Sequence, residues 1–140
     1  MYSANTTHTL ITVAPDSRAA RGTAPQPKPT IAALTYQLIA ENPYRYTADD
    51  LLFLVHAQRA GIPESERTEA RAAFFSTPKA CLRCSDLGKK FGWGIHSDSQ
   101  GRVALYGVET ERYRALASGQ ELAEDGAPVR VTPAMRSSRG

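Results

Sequence analysis

The sequence predicts an α+β domain: a small antiparallel sheet packed against several helices. Three observations carry that reading. Residues 91–108, FGWGIHSDSQGRVALYGV, have the pattern of a β-hairpin. Residues 9–13, TLITV, form a short β-branched run suited to a third strand. Capping hydroxyls stand before helical runs at Thr30, Thr47 and Thr110.

Taken in order, residues 1–8 are expected to be a flexible N-terminus, and the strand of residues 9–13 ends at Ala14-Pro15-Asp16. Residues 16–29 hold Pro25, Pro27 and Pro29, which predicts an extended, mobile loop. Thr30 caps a helix to about Glu41, where Ile31, Leu34, Leu38 and Ile39 share a stripe. Asn42-Pro43 ends it, because proline disfavours the α conformation of the residue before it. Thr47, Asp49 and Asp50 then open a second helix, with the carboxylates at its positive end. Its body, LLFLVHAQRA, is apolar nearly all round at first, as a central helix would be; the alternation in LLFLVH leaves a strand as the alternative. His56 falls within it and is expected to be a hydrogen-bonded core histidine. Gly61-Ile62-Pro63 is a stop, and Pro63 opens a further helix that reaches Phe74 and Phe75.

Ser85 caps a short helical piece that Gly92 ends. In the hairpin, a three-residue loop ending at Gly101 pairs Asp98 with Arg102. Trp93, Ile95, Val103 and Leu105 then share one face, and His96, Arg102, Ala104 and Tyr106 the other. Tyr106 is expected to cover the bare backbone of Gly94. Thr110 caps a last helix, and residues 9–118 make one domain. Residues 119–140 read as a largely disordered tail, in which Val129 and Val131 could add a weak edge strand. The shared core is expected to hold Trp93, Ile95, Leu105, Leu34, Leu38, Leu51, Val55 and Phe74.

Composition excludes several classes. No apolar run approaches the ~20 residues of a membrane span, and the N-terminus lacks the basic start and apolar stretch of a signal peptide. Two cysteines do not make a secreted disulfide framework. The expectation is a cytoplasmic protein, monomer or homodimer, with no cofactor and no metal. The formal charge of +3 is too mild to imply nucleic acid by itself. Arginine outnumbers lysine and alanine is abundant, a bacterial GC-rich pattern.

Chemistry is sparse. Cys81-Leu82-Arg83-Cys84 is a lone CxxC. Zinc would need two more ligands, with His96 and His56 the nearest histidines. A redox pair wants such a motif at a helix start, and Ser85-Asp86 begins one. Lys79, Arg83, Lys89 and Lys90 stand against Asp86 alone, beside Trp93 and near Arg102 across the hairpin. Basic groups beside aromatics can hold phosphate or stack bases, so an anionic small molecule or nucleic acid is the partner class this segment suggests. His96, Tyr106, Arg102 and Asp98 form the one polar cluster that strand pairing brings together. His96 there could serve as acid or base, with Tyr106 beside it and Cys81 as nucleophile. The leading reading is a binding or interaction protein that holds an anionic ligand through Arg83, Lys89, Lys90, Trp93 and Arg102. The alternative is a small enzyme built on His96, Cys81 and Tyr106.

The runs TLITVAPD, LTYQLIAENPYRYTADDLLFLVHA, ACLR, KKFGWGIHSDSQGRVALYGVE and the ERY after them resemble a short uncharacterised bacterial family, a domain of unknown function. The likeness covers about residues 9–116. It implies a stand-alone cytoplasmic bacterial protein, and it implies no activity.

Overall fold

The computed structural model describes residues 2–119, 121–122 and 126–136. Its frame is a four-stranded sheet in the order β3-β2-β1-β4, formed by β1 (Thr9–Thr12), β2 (Trp93–Ser97), β3 (Val103–Gly107) and β4 (Arg130–Pro133). The hairpin register is the expected one: Trp93 faces Gly107, Gly94 faces Tyr106, Ile95 faces Leu105 and His96 faces Ala104. Gly101 takes a φ of +78° at the end of the loop, which an L side chain would resist, and its N–H donates to the Asp98 carbonyl at 3.1 Å. The Asp98 carboxylate holds the turn by accepting from the N–H groups of Gln100 and Arg102, each at 2.9 Å. β1 pairs antiparallel with β2, Leu10 opposite His96 and Ile11 opposite Ile95.

The three strands expected for the small sheet pair antiparallel among themselves, and a fourth adds to them. β4 lies parallel to β1, so the sheet is mixed. A helix follows β3, and the chain crosses the sheet before returning alongside β1, which is the connection parallel neighbours require. β4 includes Val131 and follows Val129, the tail residues expected to form an edge strand. Residues 120, 123–125 and 137–140 of the expected disordered tail, and Met1 of the expected flexible start, lie outside the described residues.

The helices are α1 (Ile31–Glu41), α2 (Ala48–Ala60), α3 (Arg67–Phe74), α4 (Asp86–Lys89) and α5 (Glu111–Ala117). Four of them form where their caps predict, whereas α3 begins without a side-chain cap after a 3₁₀ turn over Glu64–Glu66 that follows Pro63. Thr30, Thr47, Ser85 and Thr110 all accept a backbone N–H through the side chain, and Thr47 with Asp50 completes a reciprocal capping box. The run LLFLVH is therefore helical, and the strand alternative is excluded. α1, α2 and α4 cover the Ile95 face, where Ile11, Ile39, Leu51, Leu82, Leu87, Ile95 and Val103 form the main core with Leu38, Trp93 and Leu105 at its edge. Phe74 lies at the edge of a separate cluster with Phe53, Ala57 and Phe75, in which Phe53 and Phe75 are the buried phenylalanines. His56 is exposed and stacks on Phe74 at 4.6 Å, so it is not a core histidine.

The second face of the sheet is not open. α5 lies across it and packs Leu116 against Leu10 and Val129. The ring over Gly94 comes from Tyr113 of α5 rather than from Tyr106. A Cβ on Gly94 would come within 2.6 Å of that ring. Tyr113 also accepts the Val13 N–H through its hydroxyl at 3.0 Å.

Two segments expected to be loose make specific contacts. Near the N-terminus, Ser3 and Ala4 both donate to the Asp49 carboxylate at 2.7 Å, and Tyr2 donates through its hydroxyl to the Lys79 carbonyl at 2.7 Å. In the proline-rich loop, the Thr23 N–H donates to the Phe91 carbonyl at 2.9 Å and the Trp93 indole donates back to the Thr23 carbonyl at 2.8 Å.

Candidate functional site

The site begins with a connector. Asn42-Pro43 ends α1, and the chain then runs along the outer edge of β3. The Tyr44 N–H donates to the Val103 carbonyl at 2.9 Å, and the Val103 N–H donates to the Tyr46 carbonyl at 2.9 Å. Tyr44 itself sits at a φ of +58°, in the left-handed region. A tyrosine there costs on the order of 1–3 kcal/mol, which the surrounding contacts must offset. The conformation turns its side chain onto the His96 face.

Three side chains then form a hydrogen-bonded chain. The Tyr44 hydroxyl lies 2.8 Å from His96 Nδ1 and 2.8 Å from the Tyr106 hydroxyl. The Tyr44 and His96 rings meet edge-on at 5.7 Å. His96 is only 8% exposed, because α5 and the connector close over it. Beside these groups opens a cavity of about 220 Å³, whose wall also includes His8, Asp98, Arg112 and Glu121. The Arg112 guanidinium pairs with the Glu121 carboxylate and lies 6.0 Å from the centre of the Tyr106 ring.

Burial sets the protonation states. It pushes the His96 imidazole below its ordinary value of 6.5, and the positive charge of Arg112 lowers it further. Burial, and next the bond to Tyr106, push the Tyr44 phenol far above its ordinary range. Glu121 and Tyr106 hold the Arg112 guanidinium charged. At neutral pH the cluster therefore holds a neutral His96 imidazole and a protonated Tyr44 phenol. Tyr44 has one proton to donate. It goes either to His96 Nδ1, with the imidazole proton then on Nε2, or to the Tyr106 hydroxyl, with the imidazole proton then on Nδ1.

The other expected site residues fall elsewhere. Of the expected catalytic set, His96 and Tyr106 line one cavity, whereas Cys81 lies with Ile11, Ile95 and Val103 on the opposite side of the sheet. A nucleophile there cannot reach a substrate held at His96. The basic set does not converge either. Arg83 donates through Nε to the Pro133 carbonyl at 2.8 Å and so ties down β4. Lys89 and Lys90 close α4, at the Trp93 end of the hairpin. Arg102 is exposed at the other end, about 13 Å away along β2 at the rise of a strand, with its main chain bridged to Thr47. Trp93 is packed on Tyr36 at 5.6 Å, and Gly22 of the loop lies against its ring. Among the described residues no three His, Cys, Asp or Glu side chains group closely enough to hold a metal ion. No helix among the described residues is long and apolar enough to cross a membrane.

Tyr44, His8, Arg112 and Glu121 were not expected at the site. Only Tyr44 left a trace in the sequence, as the aromatic connector Pro43-Tyr44-Arg45-Tyr46.

Fold and site together define a small α+β protein with helices on both faces of a mixed sheet and one histidine-centred polar pocket. The chain matches the family DUF6157, described as a family of unknown function, over residues 1–140, and it belongs to that family. No curated protein and no solved structure matches it.

Proposed function

We propose that the protein binds a small polar molecule in the pocket on the second face of the sheet, and that Arg112 receives an acidic group of that molecule. The observation that carries this reading is the Tyr106–Tyr44–His96 chain beside Arg112 at the wall of one cavity. Buried polar groups held in fixed geometry, in a site with strained backbone, are the usual construction of a recognition pocket. Arg112 offers a planar guanidinium suited to a carboxylate or phosphate. Glu121 is its present partner, and an anionic ligand would take the place of that carboxylate. The reading replaces the dispersed basic set of Arg83, Lys89, Lys90 and Arg102 with a single cation. It keeps the polar hairpin face.

A second reading rests on the imidazole. His96 is neutral, oriented through Nδ1 and backed by two phenols, so Nε2 could exchange a proton with a bound molecule. This is acid–base chemistry without Cys81.

The test is a nuclear magnetic resonance titration of the full chain, using acetate and inorganic phosphate as separate additions. The expected result is saturable shifts at Tyr44, His96, Tyr106 and Arg112, weakened by salt and lost in Arg112→Gln. Shifts confined to Lys89 and Lys90 would restore the basic-segment reading. Absence of saturation at the pocket with either anion would reject the acidic-group assignment.

A further inference from the structure

A second cavity, on the far side of the sheet from His96, has unused chemistry. It is a groove of about 330 Å³ between α1, α2 and the 79–85 segment, lined by Ile31, Leu52, Val55 and Phe74 among others. Cys81 and Cys84 both line it. They are free thiols, Cys84 exposed and Cys81 half-buried. The chain between them is a 3₁₀ turn over Leu82–Cys84, closed by the Cys84 N–H donating to the Cys81 carbonyl at 2.9 Å. At the 3₁₀ rise, residues three apart have Cα atoms about 6 Å from each other, within the span a disulfide bridges. The backbone of the turn thus brings the two cysteines within the Cα spacing that a disulfide requires.

The groove also has a charge preference. Lys79 and Arg59 stand in its wall with His56, and no carboxylate joins them among the described lining residues. Lys79 Nζ lies 4.4 Å from the centre of the Phe74 ring, and His56 stacks on the same ring at 4.6 Å. The aromatic ring thus fixes two basic groups beside the cysteines. An apolar floor, basic walls and two thiols at one end suit an organic disulfide that carries carboxylates.

We propose that Cys81 and Cys84 form a dithiol site that reduces small anionic disulfides bound in this groove. Cys84, the exposed thiol, attacks as thiolate on one sulfur of the ligand. The ligand S–S bond breaks, one half leaves as a thiolate and the other stays on Cys84 as a mixed disulfide. Cys81, losing its proton, then attacks the Cys84 sulfur and expels the second half. Two electrons pass from the protein to the ligand, the protein disulfide forms, and the two protons go to the two released thiols.

The experiment uses the fully reduced chain with oxidised glutathione, followed by intact mass. The expected product is a monomer lighter by two hydrogens, which dithiothreitol returns to the starting mass. Cys81→Ser should instead stop at one stable glutathione adduct, mapped to Cys84. A wild-type chain that ends as a glutathione adduct or as a disulfide-linked dimer overturns the dithiol assignment. A second arm compares rates with oxidised glutathione and with the neutral hydroxyethyl disulfide. Lys79→Gln with Arg59→Gln should slow the first by about threefold or more and leave the second unchanged. Equal effects on both disulfides, or none on either, overturn the anionic-substrate assignment while leaving the dithiol chemistry to stand on the mass result.

Discussion

His96 is the residue on which the polar pocket turns, and its protonation can be followed directly. Burial and Arg112 both hold its pKa below 6.5, so its NMR titration should have a midpoint under that value. Arg112→Gln removes the second cause, and the midpoint should move up towards 6.5. A midpoint that stays fixed would mean that Arg112 is electrostatically remote from the ring. The same shift makes stability depend on pH. The unfolded chain takes up the proton at about pH 6.5, whereas the folded chain resists it to lower pH. The stabilisation is therefore complete above 6.5 and is lost as pH falls from there through the folded value. His96→Asn should flatten that part of a stability-against-pH curve measured by urea unfolding. Pairing on the hairpin made His96 and Tyr106 readable from sequence, because strand register is a short-range property. Tyr44 was not readable. Its place depends on a positive φ and on two backbone bonds to the edge of β3, 59 residues further along at Val103.

At the scale of elements, the packing of α5 on the sheet has one narrow tolerance. Tyr113 lies on Gly94, and its hydroxyl reaches past the strand to the Val13 N–H. Gly94→Ala drives a methyl into the ring at 2.6 Å, so either Tyr113 or the strand must shift. Overpacking of that kind costs about 1–3 kcal/mol, and a urea midpoint lowered by that amount, with an unchanged slope, is the expected result. Gly94→Ala combined with Tyr113→Ala should lose less than the sum of the two single changes, since the clash needs both side chains. The elements themselves were largely legible. Capping threonines, the serine before α4 and the Gly101 turn act through neighbours a few residues away, so the local sequence carries them. What covers the second face was not legible. His96, Ala104 and Tyr106 look like an exposed mixed face until Leu116 and Tyr113 are seen against Leu10 and Gly94.

The whole molecule depends on a segment with little to mark it in composition. β4 occupies the edge of the sheet beside β1, with Arg130 donating to the His8 carbonyl at 2.7 Å and Ala134 to the Thr12 carbonyl at 2.9 Å. Val129 and Ala134 are buried, the first against Leu10 and Leu116 and the second in the main core with Leu87. Arg83 is bonded twice at the C-terminal end of this strand, donating through Nε to the Pro133 carbonyl and accepting the Met135 N–H through its own carbonyl at 2.8 Å. The strand therefore joins the two layers that flank the sheet. Polar residues surround it, so periodicity alone ranks it as a weak edge. Its contribution arises from partners more than a hundred residues away in β1. Deleting residues 129–140 empties two apolar sites and leaves the N–H and C=O groups of β1 unpaired along one edge. The loss should be at least about 3 kcal/mol from the two side chains and the orphaned backbone groups together. It should appear as a lower thermal midpoint. The bared strand is also a template for pairing with another chain, so the truncated protein should self-associate more than the full one in size-exclusion chromatography. An unchanged midpoint with an unchanged elution volume would show that β4 is dispensable, and that α5 alone holds the second layer.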